Sequence, residues 1–130
     1  MIREGQIVLF SLPRTDQAAG KLRPALVLRR LPGAQGDSPI CMVSSQLHQQ
    51  VAGLDETVSD SDSDFRQTGL KRPSLIRVTR IAVVCAAMLH GAIGQLSQQR
   101  LDSIRQRLAN WLLGALPAGQ TGDKAGGLEC

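Results

Sequence analysis

Arg23 stands directly before a proline and an apolar run, Pro24-Ala25-Leu26-Val27-Leu28. Proline biases the residue before it toward an extended backbone and has no N–H to offer a neighbouring strand. It therefore belongs at the start of a strand or on an edge. The arrangement fixes one permanent cation at a strand mouth, and a guanidinium presents a rigid fork of donors that matches two phosphate oxygens. A second candidate lies in Ile40-Cys41-Met42-Val43-Ser44-Ser45-Gln46-Leu47, which turns from apolar to hydroxyl-bearing halfway along. That is the pattern of a buried strand emerging into a cleft. Ser44 and Ser45 alternate to opposite sides of such a strand. Each feature also has a plainer reading, as a surface arginine flanking a strand and as hydroxyls that bond locally.

The charge distribution says what such a cleft would hold. Fifteen lysines and arginines face eleven acids, for a net charge of +4. Five of those acids (Asp55, Glu56, Asp60, Asp62 and Asp64) fall between positions 55 and 64, leaving fifteen bases against six acids elsewhere. A basic body suits an anionic partner, either a nucleic acid or an acidic protein segment. Lys21 and the pair Lys71-Arg72 fall in loops where a groove can recruit them for backbone contacts, and Arg29, Arg30 and Arg80 add positive charge. Arg29 and Arg30, adjacent on one strand, point to opposite sides. Aromatic residues are scarce: Phe10 and Trp111 read as core, leaving Phe65 as the one aromatic free to stack on a base.

Metal and disulfide chemistry find little support. Asp60-Ser61-Asp62-Ser63-Asp64 begins like a calcium loop, but Phe65 stands where the glycine belongs and Lys71 where the closing glutamate belongs. The run reads as a solvated loop. Cys41, Cys85 and Cys130 are odd in number and widely spaced, a poor disulfide or zinc framework, and the first two lie in apolar runs as small hydrophobes. No cofactor or metal is expected. His48 reads as a loop histidine and His90 as the end of a buried strand.

The elements that must position these residues follow from periodicity and breakers. Gln6 to Leu12 reads as a strand, 13 to 21 as a loop, Leu22 to Leu31 as a second strand and Ile40 to Leu47 as a third. Residues 48 to 68 are polar and weakly structured. Pro73 to Thr79 and Ile81 to Leu89 read as two further strands, the second central, with a short connection at Ala92 to Leu96. Ser97 to Leu113 is a helix capped by Ser97 and stopped at Gly114, with Leu101, Ile104, Leu108 and Trp111 on one stripe. Arg100, Arg105 and Arg107 lie off that stripe, on a solvated face. Residues 1–116 form one domain and 117–130 a flexible, glycine-rich tail. The expected class is mainly β with a C-terminal helix, a small antiparallel barrel. No run approaches the ~20 apolar residues of a membrane span, and a cytoplasmic setting is expected.

Five segments in order resemble the MazF/PemK (Kid) family of toxins: Gly5-Gln6-Ile7-Val8, Arg23-Pro24-Ala25-Leu26-Val27, Met42-Val43-Ser44-Ser45-Gln46, Gly69-Leu70-Lys71-Arg72-Pro73-Ser74-Leu75-Ile76, and Ala92-Ile93-Gly94-Gln95-Leu96-Ser97. The resemblance implies an SH3-like barrel of the MazF/PemK/CcdB type. It also implies a homodimer that cleaves single-stranded RNA without metal and is neutralised by an acidic antitoxin.

Within that resemblance Arg23 stabilises charge on the phosphorane and Ser44, at the family's strand-end threonine, orients the phosphate or the 2′-OH. Lys21, Ser45, Lys71, Arg72, Arg77 and Thr79 become RNA contacts. Arg77 falls where the Kid branch carries an arginine near its cleavage centre. Thr79 stands where that branch carries an aspartate, and the first loop lacks that branch's histidine, so no residue is an obvious general base. The alternative is a non-cleaving protein- or nucleic-acid-binding module on the same barrel.

Overall fold

A computed structural model describes residues 2–11, 21–33 and 36–114. The expected tail, 117–130, and most of the first loop lie outside the described residues. Six strands, β1 (Gln6–Phe10), β2 (Arg23–Val27), β3 (Ser38–Ser44), β4 (Glu56–Val58), β5 (Ser74–Val84) and β6 (Leu89–Gln95), form one antiparallel sheet in the order β4-β5-β3-β2-β1-β6. A short helix α1 (Phe65–Thr68) follows β4, and the long helix α2 (Gln98–Leu112) closes the chain.

The class is the expected one, with one difference: the sheet does not close by strand pairing. Its ends are bridged instead through α1, whose Gln67 Nε2 donates to the Gln95 carbonyl of β6 at 3.3 Å. Two glycines make that approach possible. A Cβ on Gly94 would lie 2.3 Å from the Gln67 carbonyl oxygen, and one on Gly69 would lie 2.1 Å from that of Ile93. Gly69 also takes φ +73°, as the left-handed cap of α1.

Several boundaries differ from the sequence reading. β2 ends at Val27, so Arg29 and Arg30 lie beyond the strand. Residues 48 to 68 hold a 3₁₀ turn (Leu47–Gln49), β4 and α1, and Ala92 to Gln95 belong to the edge strand β6. The two strands expected between 73 and 89 are largely one, β5, interrupted by a bulge. Its Arg77 and Ile81 pair with adjacent residues of β3, Met42 and Cys41, leaving Val78, Thr79 and Arg80 as extra residues.

An odd insertion exchanges the two faces of a strand. Before the bulge, Ile76 and Val78 join one buried cluster with Ile7, Leu26, Cys41 and Val43. After it, Ala82 and Val84 join the cluster on the other face with Val8, Phe10, Val27 and Ile40. Both faces are therefore buried, and the alternation of β1, β2 and β3 divides their apolar residues between the two. Past the bulge, Ile81 and Val83 are exposed, so that half of β5 is not the covered central strand expected.

α2 closes the first cluster with Leu101 and Ile104, with Leu108 packed against it. Each fully buried aliphatic side chain stabilises by roughly 2 kcal/mol. The Ser97 Oγ accepts the Arg100 backbone N–H at 3.3 Å, the expected cap, worth about 1 kcal/mol. Trp111, expected in the core, is 42% exposed where the stripe runs past the edge of the sheet. Phe65, expected to be free, packs half-buried against the first cluster, and Cys85 is exposed. His90 is exposed on β6 with its Nε2 2.9 Å from Ser11 Oγ. Cys41 is buried, and burial pushes its thiol up to about 12.

Candidate nucleic-acid site

The site is built at the end of the β2–β3 ladder. Those strands pair Val27 with Ile40, Leu26 with Cys41 and Ala25 with Met42. The same register carried two residues further sets Arg23 opposite Ser44, the last residue of β3. Pro24 has no N–H for the next rung, so the ladder stops there and the two strand ends are free to part. On its other side Ser44 pairs with Leu75 of β5, and Arg23 pairs with Phe10 of β1. One proline thus explains why an arginine and a serine meet at an opening rather than in a ladder.

Two hollows share that opening. The larger, about 690 Å³, takes in Lys21, Arg23, Ser44, Ser45, Lys71 and Arg72, with apolar walls that include Leu70 and Ile93. The smaller, about 240 Å³, takes in Arg23, Ser44, Gln49, Arg77 and Arg80 beside Pro24 and Met42. No carboxylate among the described residues lines either one. Among the described residues, Lys21, Arg23, Lys71, Arg72 and Arg80 form no ion pair within the chain. Ser44 Oγ accepts the Gln46 backbone N–H at 3.0 Å, which fixes the oxygen and leaves the hydroxyl proton to donate.

The sequence profile of the family described as "PemK-like, MazF-like toxin of type II toxin-antitoxin system" matches residues 3–112. The chain belongs to that family. No curated protein is a significant match to it in sequence. Among solved structures it is similar to an endoribonuclease from a Mycobacterial species in complex with its cognate antitoxin. That match has 14% identity and a TM-score of 0.63, over 90% of this chain and 100% of that one. It is also similar to the Mycobacterium tuberculosis toxin MazF-mt6 (20% identity, TM-score 0.58, 82% and 95% of the two chains). A third is MazE-MazF from Deinococcus radiodurans (20% identity, TM-score 0.63, 88% and 97%). At these identities the likeness is one of fold.

Of the PemK/MazF-type site residues expected from sequence, Lys21, Arg23, Ser44, Ser45, Lys71, Arg72 and Arg77 line the two hollows. Ser45 does so although it alternates with Ser44, because β3 ends at Ser44 and the chain turns there. Thr79 lines neither hollow; it sits half-buried in the bulge. His48 lines neither and is exposed.

Arg77 reaches the smaller hollow with its guanidinium already engaged. Nη1 donates to Gln49 Oε1 at 2.7 Å, and Nε lies 3.4 Å from Asp55 Oδ2. That last contact is an ion pair by distance but is not aligned as a hydrogen bond. The Asp55 carboxylate is itself buried, and it accepts the backbone N–H of Val51 at 2.9 Å and of Val78 at 3.0 Å. Gln49 and Asp55 were not candidates from sequence. Their only signal is three-dimensional: the bulge N–H that Asp55 satisfies lies 23 residues further along the chain.

Of the remaining acids of the 55–64 run, Asp60 is exposed as expected of a solvated loop, whereas Glu56, Asp62 and Asp64 are drawn into ion pairs. Arg100, on α2, makes a two-pronged contact with Asp64 (Nε 2.9 Å, Nη2 2.8 Å) and reaches Asp62 at 2.9 Å and Glu56 at 2.7 Å. Its hydrogen bonds hold the Asp64 carboxyl down to about 2. Arg107 binds Glu56, and Arg105 ties Glu4 (2.7 Å) and the Leu28 carbonyl to the same helix. The backbone N–H of Arg30, then Arg105, keeps Glu4 below its ordinary value. The helix face expected to be solvated is therefore the clamp that holds α2 to the sheet. The carboxylates it engages line neither of the two hollows at Arg23.

Proposed function

We propose that this chain is the toxin of a type II toxin–antitoxin pair and cleaves single-stranded RNA by attack of the ribose 2′-OH. The observation that carries this reading is the Arg23–Ser44 opening: a permanent cation opposite a fixed hydroxyl, in hollows whose charged lining residues, among the described residues, are all cations. In the reaction the 2′-oxygen bonds to phosphorus and the P–O5′ bond breaks, leaving a 2′,3′-cyclic phosphate and a 5′-hydroxyl. Negative charge builds on the non-bridging oxygens as the phosphorane forms. Arg23 faces that charge with two parallel donors, which stabilise most where charge is greatest. Ser44 donates its proton to the same phosphate and sets its position.

Among the described residues, the linings hold neither carboxylate nor imidazole, and no base is assigned. The 2′-OH proton passes to water or to a non-bridging oxygen, and the departing O5′ takes a proton from the same source to become the 5′-hydroxyl. Lys21, Lys71, Arg72 and Arg80 hold flanking phosphates, with Ser45 and Arg77 as further contacts, while Thr79, outside both hollows, makes none. Ile81 and Val83, exposed past the bulge, supply an apolar surface for a second copy, and the working unit is a homodimer in the cytoplasm. The antitoxin is an acidic segment that occupies the same cationic opening, in line with the antitoxin complexes among the structural relatives.

The test is incubation of the purified protein with a long unstructured RNA in EDTA, with cut ends mapped. Cuts at defined sites ending in cyclic phosphate are expected. Intact RNA from folded protein would overturn the nuclease reading. The missing base favours what would then remain, a module of the same fold that binds RNA or protein without cutting.

A further inference from the structure

We propose that Gln49 reads a base of the bound RNA, as a donor-only amide that accepts carbonyl-bearing base edges and refuses adenine. The inference rests on the RNA reading of the same opening and goes beyond phosphate binding to specificity. Its basis is a three-membered relay. Asp55 is 3% exposed, and its carboxylate is fixed by two backbone N–H groups, those of Val51 and Val78. It holds the Arg77 guanidinium from behind at 3.4 Å, and Arg77 Nη1 donates to Gln49 Oε1 at 2.7 Å.

A guanidinium has donors and no acceptor, so the amide must turn its oxygen toward Arg77 and its NH₂ group away. Gln49 is exposed at the smaller hollow, and its Nε2 has no partner among the described residues. The result is a neutral planar group with a locked orientation and two free N–H donors, set among cations. The hollow of about 240 Å³ has Pro24 and Met42 as apolar walls against which a base can lie.

An unclamped glutamine reads adenine by giving one hydrogen bond to N7 and taking one from the N6 amino group. Here the oxygen is turned to Arg77, which takes one of its two lone pairs, and the NH₂ edge is the one left facing a base. Adenine would bring its amino group against a donor, whereas guanine O6 and N7 or the uracil carbonyls present acceptors. Discrimination by one such mismatch is about tenfold or more.

The test measures binding of short oligo(dU) and oligo(dA), which lack the nucleophilic hydroxyl and so report recognition without cleavage. Wild type is compared with Gln49→Ala and Gln49→Glu, changes at an exposed position. Oligo(dU) is expected to bind wild type about tenfold more tightly than oligo(dA). The gap should close in Gln49→Ala and reverse in Gln49→Glu, whose carboxylate presents an accepting oxygen to the base. If wild type discriminates and both variants keep the same ratio, or if wild type shows no preference for oligo(dU), this inference fails while the RNA reading stands. If wild type binds neither oligonucleotide, the RNA reading fails and this inference with it.

Discussion

At the scale of single residues, the arginines divide by partner. Arg23 faces an open hollow with no carboxylate among its described lining residues, whereas Arg100 is enclosed by Asp64, Asp62 and Glu56. The first is poised to take a ligand's charge; the second is structural. Arg100→Met would leave three carboxylates crowded and partly buried, at a cost of about 2 kcal/mol, seen as a Tm lower by on the order of 8 °C at neutral pH. The acid side follows from Asp64. Its carboxyl is held at about 2 against an ordinary value of 3.8, so its contribution is complete above about pH 4 and is lost as pH falls toward 2. Thermal melts between pH 5 and 2 should show wild type losing stability over that window more steeply than Asp64→Asn. Equal slopes would mean that the Arg100 clamp does not hold in solution. Arg23 and Ser44 were legible in the sequence because proline and strand-end chemistry are local. Gln49 and Asp55 were not, since a polar side chain that positions another carries no mark of its own in the chain.

At the scale of elements, periodicity found the strand cores and the helix, including its Ser97 cap and Gly114 stop. It missed the bulge in β5, because an odd insertion exchanges the faces of a strand and makes one element resemble two. It missed β4 and α1 because their stability comes from contacts with β5, β6 and α2 rather than from their own apolar content. The arginines of α2 were legible as an off-stripe set, but their partners lie 36 to 44 residues earlier in the Asp64 and Glu56 contacts. Gly69 and Gly94 stood in two separate family-like segments; the fold brings α1 and β6 together at these glycines. Gly94→Ala would set a Cβ against the backbone of Gln67 and Thr68, which has no side-chain freedom with which to yield. A loss of about 3 kcal/mol is expected in urea unfolding. A midpoint within error of wild type would show that α1 is not fixed against β6.

At the scale of the whole molecule, a net charge of +4 understates the asymmetry. Three acids of the run, Glu56, Asp62 and Asp64, are engaged by Arg100 and Arg107 of α2, away from the cations that line the Arg23 opening. Among the described residues, Lys21, Arg23, Lys71, Arg72 and Arg80 are the cations lining the opening that form no ion pair, and they predict a single-strand binding slope of about −3.5 in log K against log salt per protomer. A slope near zero would mean that the opening does not track a phosphate backbone. Fold alone leaves catalysis open, because one barrel serves more than one target. The most direct measurement is single-turnover cleavage of one mapped RNA site in EDTA by wild type, Arg23→Ala, Ser44→Ala and Arg29→Ala. Arg29 is exposed beside Glu4 and lines neither hollow, which makes it the control for general charge loss. Arg23→Ala is expected to be slower by about 10²–10³-fold, Ser44→Ala by a smaller but clear factor, and Arg29→Ala to change little. Cleavage by Arg23→Ala at a rate close to that of Arg29→Ala would contradict this and move the catalytic centre away from this opening.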